Sequence, residues 1–404
     1  MSANRVLVTG AGGFIGDRLT HRLALQEPYD VCPLVHRIGG PHAMRLARLP
    51  VDIEQGSILD RTRMDDILED CDAVIHCAVG PRETTIEGTQ TLLEAAMAAG
   101  VDRFIHMSSA SVHGHEWHGE LTETAQFSPD TAYGEWKVEA ERQIWERTCS
   151  STLDPTIFRP FIVYGPYSEF VTAPVDTIRS GAILADGGVG TVNGIYFDNL
   201  IDAIITSLYH EDAPGEVFML RDDTSMSWRA YYEMLASAID DNPPIVSRSS
   251  SRIAFERRMT YLHNSVVPPI RALRRIVTSA ETRQVLFDEF EQVPWANRVY
   301  GALPDAALDR IRSAEIPKSI PHRDDIDEPS PTYPLPEPRH VKMQRSTGTI
   351  SSAKAKRVLG WQPRVSQADA VSRVCEWVTE QERIPPIDGA IEQGQQPILE
   401  ARHE

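Results

Sequence analysis

From Arg5 to about Arg159 the hydrophobic positions follow two alternating patterns: short β-branched runs, and longer stretches with apolar residues three and four apart. The runs predict strands at Arg5–Thr9, Asp30–Val35, Val51–Gln55, Ala73–Cys77, Arg103–Met107 and Thr156–Phe158. The stretches predict helices near Ile15–Gln26, Arg63–Glu69, Ile86–Ala99 and Ala132–Thr148. This alternation is the mark of βα units and a parallel sheet, and strands apolar almost throughout require helices on both faces. The expected class is α/β, a doubly wound parallel sheet followed by a smaller, mainly helical C-terminal domain.

Beyond Arg159 the pattern loosens, with one more strand at Glu216–Leu220 and a helix at Trp228–Ile239. The expected division is a sheet domain over 1–165, to which 216–220 and 228–239 return, then a substrate region over 166–383 with a helical insertion at 244–315. A Pro-rich loop over 316–339 carries seven prolines, and 384–404 reads as a flexible tail. Residues 244–283 hold eight arginines against Glu256 and Glu281, a basic island in a chain of net charge −18. So acidic a surface repels phosphate backbones and disfavours nucleic acid as a partner. The 404 residues, 41% of them hydrophobic, suffice for about two domains. Five cysteines without paired spacing read as reduced thiols, and no apolar run suits a signal peptide or a membrane span, so a cytoplasmic protein is expected.

The segment Thr9-Gly10-Ala11-Gly12-Gly13-Phe14-Ile15-Gly16 follows a predicted strand and opens a predicted helix. Glycines there let the backbone turn tightly and approach a pyrophosphate at the positive helix end, which makes the sheet Rossmann-type and Gly10, Gly13, Phe14, Ile15 and Gly16 candidate dinucleotide contacts. A fold that prefers NAD usually ends its second strand with a carboxylate for the ribose hydroxyls. Here the run is Leu34-Val35-His36-Arg37, so His36 and Arg37 favour the 2′-phosphate of NADP(H), with NAD(H) as the alternative.

In Tyr133-Gly134-Glu135-Trp136-Lys137 the tyrosine and lysine lie one helical turn apart, and an adjacent ammonium stabilises a phenolate. Upstream, Met107-Ser108-Ser109-Ala110-Ser111-Val112-His113-Gly114 follows a strand, where hydroxyls reach a ligand at the sheet's C-terminal edge. These motifs, with Asp72-Ala73-Val74-Ile75-His76-Cys77-Ala78 and Arg159-Pro160-Phe161-Ile162-Val163-Tyr164-Gly165-Pro166, stand in the order that resembles extended short-chain dehydrogenase/reductases. The likeness is to the NAD-dependent epimerase/dehydratase family, over residues 5 to about 240 and again at Ser351–Pro363, with its Leu359-Gly360-Trp361 turn.

The resemblance implies Tyr133 as acid/base, Lys137 as ribose contact and modulator of the tyrosine, and Ser109 as hydrogen-bond donor to the reacting oxygen. It adds Ser57, Ile58, Ala78 and Arg159 as cofactor contacts and a homodimer as the assembly. Where the family's 4,6-dehydratases carry an Asp-Glu pair after the active-site hydroxyl, this chain has Ala110 and Ser111, which disfavours elimination. The expected function is epimerisation or ketoreduction of a nucleotide sugar by hydride transfer at a carbinol carbon. The alternatives are an NADPH-dependent reductase of a hydrophobic alcohol or ketone, resembling dihydroflavonol reductases or 3β-hydroxysteroid dehydrogenases, and a non-catalytic dinucleotide sensor. Candidate substrate residues are Ser111, His113 and the one-faced group Arg271, Arg274 and Arg275. No metal is expected at His113, His115 and His118, whose loop offers only Glu116 as a further ligand.

Overall fold

The computed structural model describes residues 5–37, 45–239, 244–261 and 333–383. A seven-stranded sheet is formed by β1 (Arg5–Thr9), β2 (Asp30–Val35), β3 (Glu54–Gln55), β4 (Ala73–His76), β5 (Arg103–Met107), β6 (Thr156–Pro160) and β7 (Val217–Leu220). Its order is β7-β6-β5-β4-β1-β2-β3, and every pair is parallel. The helices between them are α1 (Phe14–Gln26), α2 (Arg61–Leu68), α3 (Glu87–Ala99), α4 (Ala132–Thr148), α5 (Glu169–Arg179) and α6 (Phe197–Tyr209). The Rossmann-type α/β expectation is met.

Strand periodicity divides the core in two. Val6, Val8, Ile75, Ile105 and Phe158 face one helical layer, and Leu7, Val74, Phe104 and Ile157 face the other with Ile67, Leu92 and Ile144. Polar side chains close the helix starts: Asp60 accepts from the Arg63 amide before α2, and Thr131 accepts from the Gly134 amide before α4. Gly100, at a φ of 74°, ends α3 in the left-handed region.

The chain is divided into two units, Met1–Arg248 with Pro336–Glu404, and Ser249–Leu335. In the first, α7 (Trp228–Ala236) packs on α5 and on α10 (Gln367–Arg383). Residues 245–248, expected to open the helical insertion, instead pair as a parallel strand with Ala182–Ala185. In the second unit, residues 250–261 form a helix. Pro338, expected in a loop, opens α8 (Pro338–Arg345), because a proline lacks only an amide that a first turn leaves unused.

The returning segment is stitched to the first half of the chain. Residues Thr349–Ile350 pair with Glu120–Leu121, and the Ser346 hydroxyl donates to the Trp117 carbonyl and accepts from the Trp117 amide. After α9 (Ala353–Leu359), the Trp361 indole donates to the Asn199 carbonyl, while the Asn199 amide side chain bonds both the N–H and the C=O of Val365. The Leu-Gly-Trp turn is thereby held on α6. Residues 262–332 and 384–404, including Arg271, Arg274, Arg275, most of the Pro-rich segment and the expected tail, lie outside the described residues.

Candidate active site

The strand order reverses between β1 and β4, the switch point outside whose strand ends open α/β sheets place their ligand crevice. On the β1 side the turn is built from backbone alone. Gly10 has a φ of 67°, and a Cβ there would lie 2.6 Å from the Ala78 nitrogen; one on Gly16 would lie 2.3 Å from the Gly10 oxygen. The Gly13 amide donates to the Gly10 carbonyl at 2.8 Å, and no side chain caps α1. A helix start left open, with close-approaching glycine backbone before it, fits a pyrophosphate. Phe14 follows, its ring 5.9 Å from that of Phe197, and Ile15 is half-buried.

Behind this turn a chain of hydrogen bonds fixes the β4 exit. The Ala78 amide donates to the Thr9 hydroxyl, which donates to His76 Nδ1 at 2.7 Å; His76 Nε2 donates to Thr89 at 2.9 Å, and Thr89 to the Thr85 carbonyl. The Thr89 proton is committed to a carbonyl, so His76 must hold its own proton on Nε2. Burial pulls the His76 pKa down to about 3. On the far side His36 and Arg37 are exposed at the end of β2, and the described residues place no carboxylate between Val35 and Arg37. Ser57 accepts from the Leu59 amide, and Ile58 packs beneath Gly88.

The β5 side is built from side chains. Tyr133 hydrogen-bonds Ser109, Lys137 Nζ donates to the Met107 carbonyl at 2.7 Å, and Glu141 accepts from the Ser108 hydroxyl. Three positions four apart on α4 thus grip three consecutive residues at the end of β5. Burial pushes the Tyr133 phenol up to about 12, and the contact opposing it is Ser109. This corrects the expectation that the Lys137 ammonium is what lowers the phenol: the amine is turned onto Met107. Burial also draws Lys137 down to about 8, against the pull of Glu141 and Cys77, while the Cys77 thiol is pushed up to about 12.

Two expected ligand contacts are directed elsewhere. Arg159, expected at the cofactor, is 4% exposed; its Nε and Nη2 grip the Glu141 carboxylate at 2.9 and 2.5 Å, and Nη1 reaches His113 Nε2 and the Glu123 carbonyl. His113, expected at the substrate, donates from Nδ1 to the Gln126 carbonyl at 2.9 Å and accepts from Arg159. Burial and the adjacent guanidinium keep it neutral, its pKa lowered. A guanidinium in so apolar a position needs its carboxylate, and that demand outweighs a contact with a ligand.

The other histidines of the loop diverge. His115 Nδ1 bonds Asp130 at 2.5 Å, and His118 Nδ1 bonds Thr347 at 3.1 Å. Asp130 also accepts from Lys342 of α8 at 2.7 Å. Ser111 is buried beside Ser109, whose hydroxyl donates to it at 3.1 Å. The sequence reading did not single out Glu141, the Asp130–His115 pair or Thr9. Glu141 had a signal, being one turn beyond Lys137 on the same face; the other two depend on tertiary contacts.

The model of the NAD dependent epimerase/dehydratase family matches residues 6–220. A UDP-glucose 4-epimerase of Vibrio cholerae is 30% identical over 259 residues, 58% of this chain and 76% of that protein. A dTDP-glucose 4,6-dehydratase of Streptomyces antibioticus is 27% identical over 284 residues, 63% of this chain and 82% of that protein. The crystal structure of UDP-glucuronic acid 4-epimerase from Bacillus cereus, in complex with UDP-glucuronic acid and NAD, aligns at a TM-score of 0.62. It is 20% identical and covers 93% of this chain and 99% of that one. Crevice, glycine turn and Ser-Tyr-Lys set thus sit on a chain that belongs to the NAD-dependent epimerase/dehydratase family, enzymes of the extended short-chain dehydrogenase/reductase type.

Proposed function

We infer that this chain is a nicotinamide-dinucleotide-dependent epimerase or ketoreductase of a nucleotide-linked sugar, acting at a carbinol carbon. The glycine turn would hold the pyrophosphate, with Ser57, Ile58 and Ala78 along the dinucleotide and Lys137 toward the nicotinamide ribose. When bound, the nicotinamide supplies and takes back hydride. Tyr133 moves the proton of the reacting hydroxyl, and Ser109, its hydroxyl turned from Ser111 to the ligand, donates a hydrogen bond to the same oxygen. A phenol held near 12 is protonated at neutral pH and so is poised first as a donor to a carbonyl. A homodimer in the cytoplasm is the proposed setting.

One observation carries the choice of reaction. Beside Ser109 stand Ala110 and Ser111, both buried, so the two positions that would exchange protons during elimination hold no carboxylate. This disfavours the chemistry of the Streptomyces relative and favours that of the Vibrio one. His36 and Arg37 support NADP over NAD, although the Bacillus structure holds NAD. They are also what favours the second reading, an NADPH-dependent reductase of a hydrophobic alcohol or ketone.

Native mass spectrometry of the purified protein, with UDP, dTDP and GDP added at millimolar concentration, separates these. Retained NAD together with stabilisation by a nucleoside diphosphate supports the epimerase. A site that takes up only NADPH, with no response to any diphosphate, overturns the nucleotide-sugar assignment in favour of the reductase.

A further inference from the structure

Tyr133, Lys137 and Glu141 share one face of α4, and each holds one of three consecutive residues: Ser109, Met107 and Ser108. The first two have roles in the chemistry inferred above; the third has none, yet it is 0% exposed. A carboxylate so placed is costly unless it is paired, and an apolar pair would fill the space more cheaply. Here the pairing is elaborate. Arg159 grips the carboxylate with Nε and Nη2, lies 5.0 Å over the Phe127 ring, and is itself held by His113 Nε2 and the Glu123 carbonyl. His113 is anchored in turn on the Gln126 carbonyl.

We propose that Glu141 is a positioning residue for the Ser109–Tyr133–Lys137 set: its carboxylate pins the 107–109 segment against α4 and sustains the positive charge of Lys137, while Arg159 and His113 lock the carboxylate in place. The proposal rests on the catalytic assignment above. With Ser108 pinned, residues 107 and 109 present a carbonyl to Lys137 and a hydroxyl to Tyr133 from one rigid segment. The ammonium has few other supports. Cys77, its own thiol pushed up to about 12, adds a smaller pull than Glu141, and His76 and His106 are buried and neutral. Arg159 is paired with the same carboxylate, and Glu141, one helical turn from Lys137, is the largest charge acting on the amine. Burial lowers Lys137 to about 8 even so, which puts its deprotonation close to working pH.

Three variants separate pinning from charge. Glu141→Gln keeps size and an acceptor but removes the charge. Glu141→Gln with Arg159→Gln removes both charges and leaves two amides able to bond each other, a form expected to fold even if the single variant strands Arg159. Ser108→Ala removes the pin and keeps the charge. The chain has five lysines, so Lys137 can be titrated directly by NMR of lysine labelled with ¹³C at Cε, without substrate.

The expected result is a Lys137 titration lower by about one pH unit in Glu141→Gln, lower by less in the double variant, which also loses the opposing Arg159 charge, and unmoved in Ser108→Ala. The alkaline limb of kcat should shift by the same amount, with KM for a nucleotide sugar changed less than about threefold. A Lys137 titration in the double variant that superimposes on the parent's overturns the proposal and leaves Glu141 a structural strut. A shifted Lys137 in a protein that turns over no nucleotide sugar would instead overturn the function inferred above and leave the role of Glu141 standing.

Discussion

The two walls of the crevice are made of different material. The wall at β1 presents backbone: close-approaching glycines at 10, 13 and 16 and a helix start that no side chain caps. The wall at β5 presents side chains knitted together, with Ser108, Ser109, Tyr133, Lys137, Glu141, Arg159 and His113 in one buried network. The contrast follows from what each must bind. A pyrophosphate is met by several amide dipoles at once, which requires that nothing stand between backbone and ligand. A moving proton needs a group of tuned acidity, and tuning requires burial and charged neighbours. One wall works by the absence of side chains and the other by their mutual constraint, so they should fail differently.

The largest failure is expected on the bare wall. Gly16→Ala places a Cβ 2.3 Å from the Gly10 carbonyl oxygen, and backbone cannot yield cheaply. Dinucleotide affinity should fall by more than about a hundredfold in calorimetric titration. The control is Gly100→Ala, whose φ is positive, unlike that of Gly16, but whose Cβ would meet nothing within 4 Å. It should cost about 1–2 kcal/mol of stability and leave binding intact. Equal binding loss in both would mean that the Gly16 effect is one of general strain.

On the networked wall, Tyr133→Phe should lower kcat by about 10²–10⁴-fold while dinucleotide affinity stays within a few-fold. Wild-type turnover in this variant would remove Tyr133 from the mechanism. A smaller effect is expected at the rim, where Arg37→Ala should weaken NADPH by about ten- to a hundredfold and leave NAD nearly unchanged. Equal loss of both cofactors, or of neither, would make NAD the better assignment.

The smallest effect concerns two histidines facing each other on neighbouring strands, with ring centroids 5.2 Å apart. His76 has both nitrogens bonded, whereas neither nitrogen of His106 finds a partner among the described residues. Burial keeps His106 well below its usual range, so it stays neutral in the fold while the unfolded chain takes up a proton below about 6.5. The unfolded state then binds more protons, and stability declines as pH falls through that window. His106→Leu should therefore raise Tm by a few degrees at pH 5 and narrow the gap between pH 5 and pH 7 in calorimetry. An unchanged gap would place the acid sensitivity in His76 and the other buried histidines.

Legibility in the sequence followed the same divide. The glycine turn, β1, β2, β5 and α4 could be read with their bounds, because backbone conformation and periodicity are local properties. The run Val51–Gln55 misled for a physical reason: Val51 and Ile53 are apolar because they pack on the core, and only Glu54 and Gln55 pair with β2. Arg159 and His113 misled more deeply. Each stands beside a motif expected at the ligand, and nothing local says that a carboxylate 18 residues upstream of Arg159 claims its guanidinium. Burial of charge is settled by tertiary partners, which a linear pattern does not display.

The stitch between Ser346 and Trp117 closes a loop of 229 residues. At roughly 5–20 residues per second of synthesis, that separation means about 10–50 seconds during which β1 to β5 exist without the segment that pairs with Glu120–Leu121. Closure over so long a span is also slow in its own right. Pulsed hydrogen exchange during refolding should find the amides of Val6 to Val8 protected before that of Trp117, and a single common phase would contradict this order. A nascent chain would thus carry its nucleotide-holding turn well before the loop that follows Ser109 acquires its final partners, so that cofactor capture precedes catalytic competence in the life of each molecule.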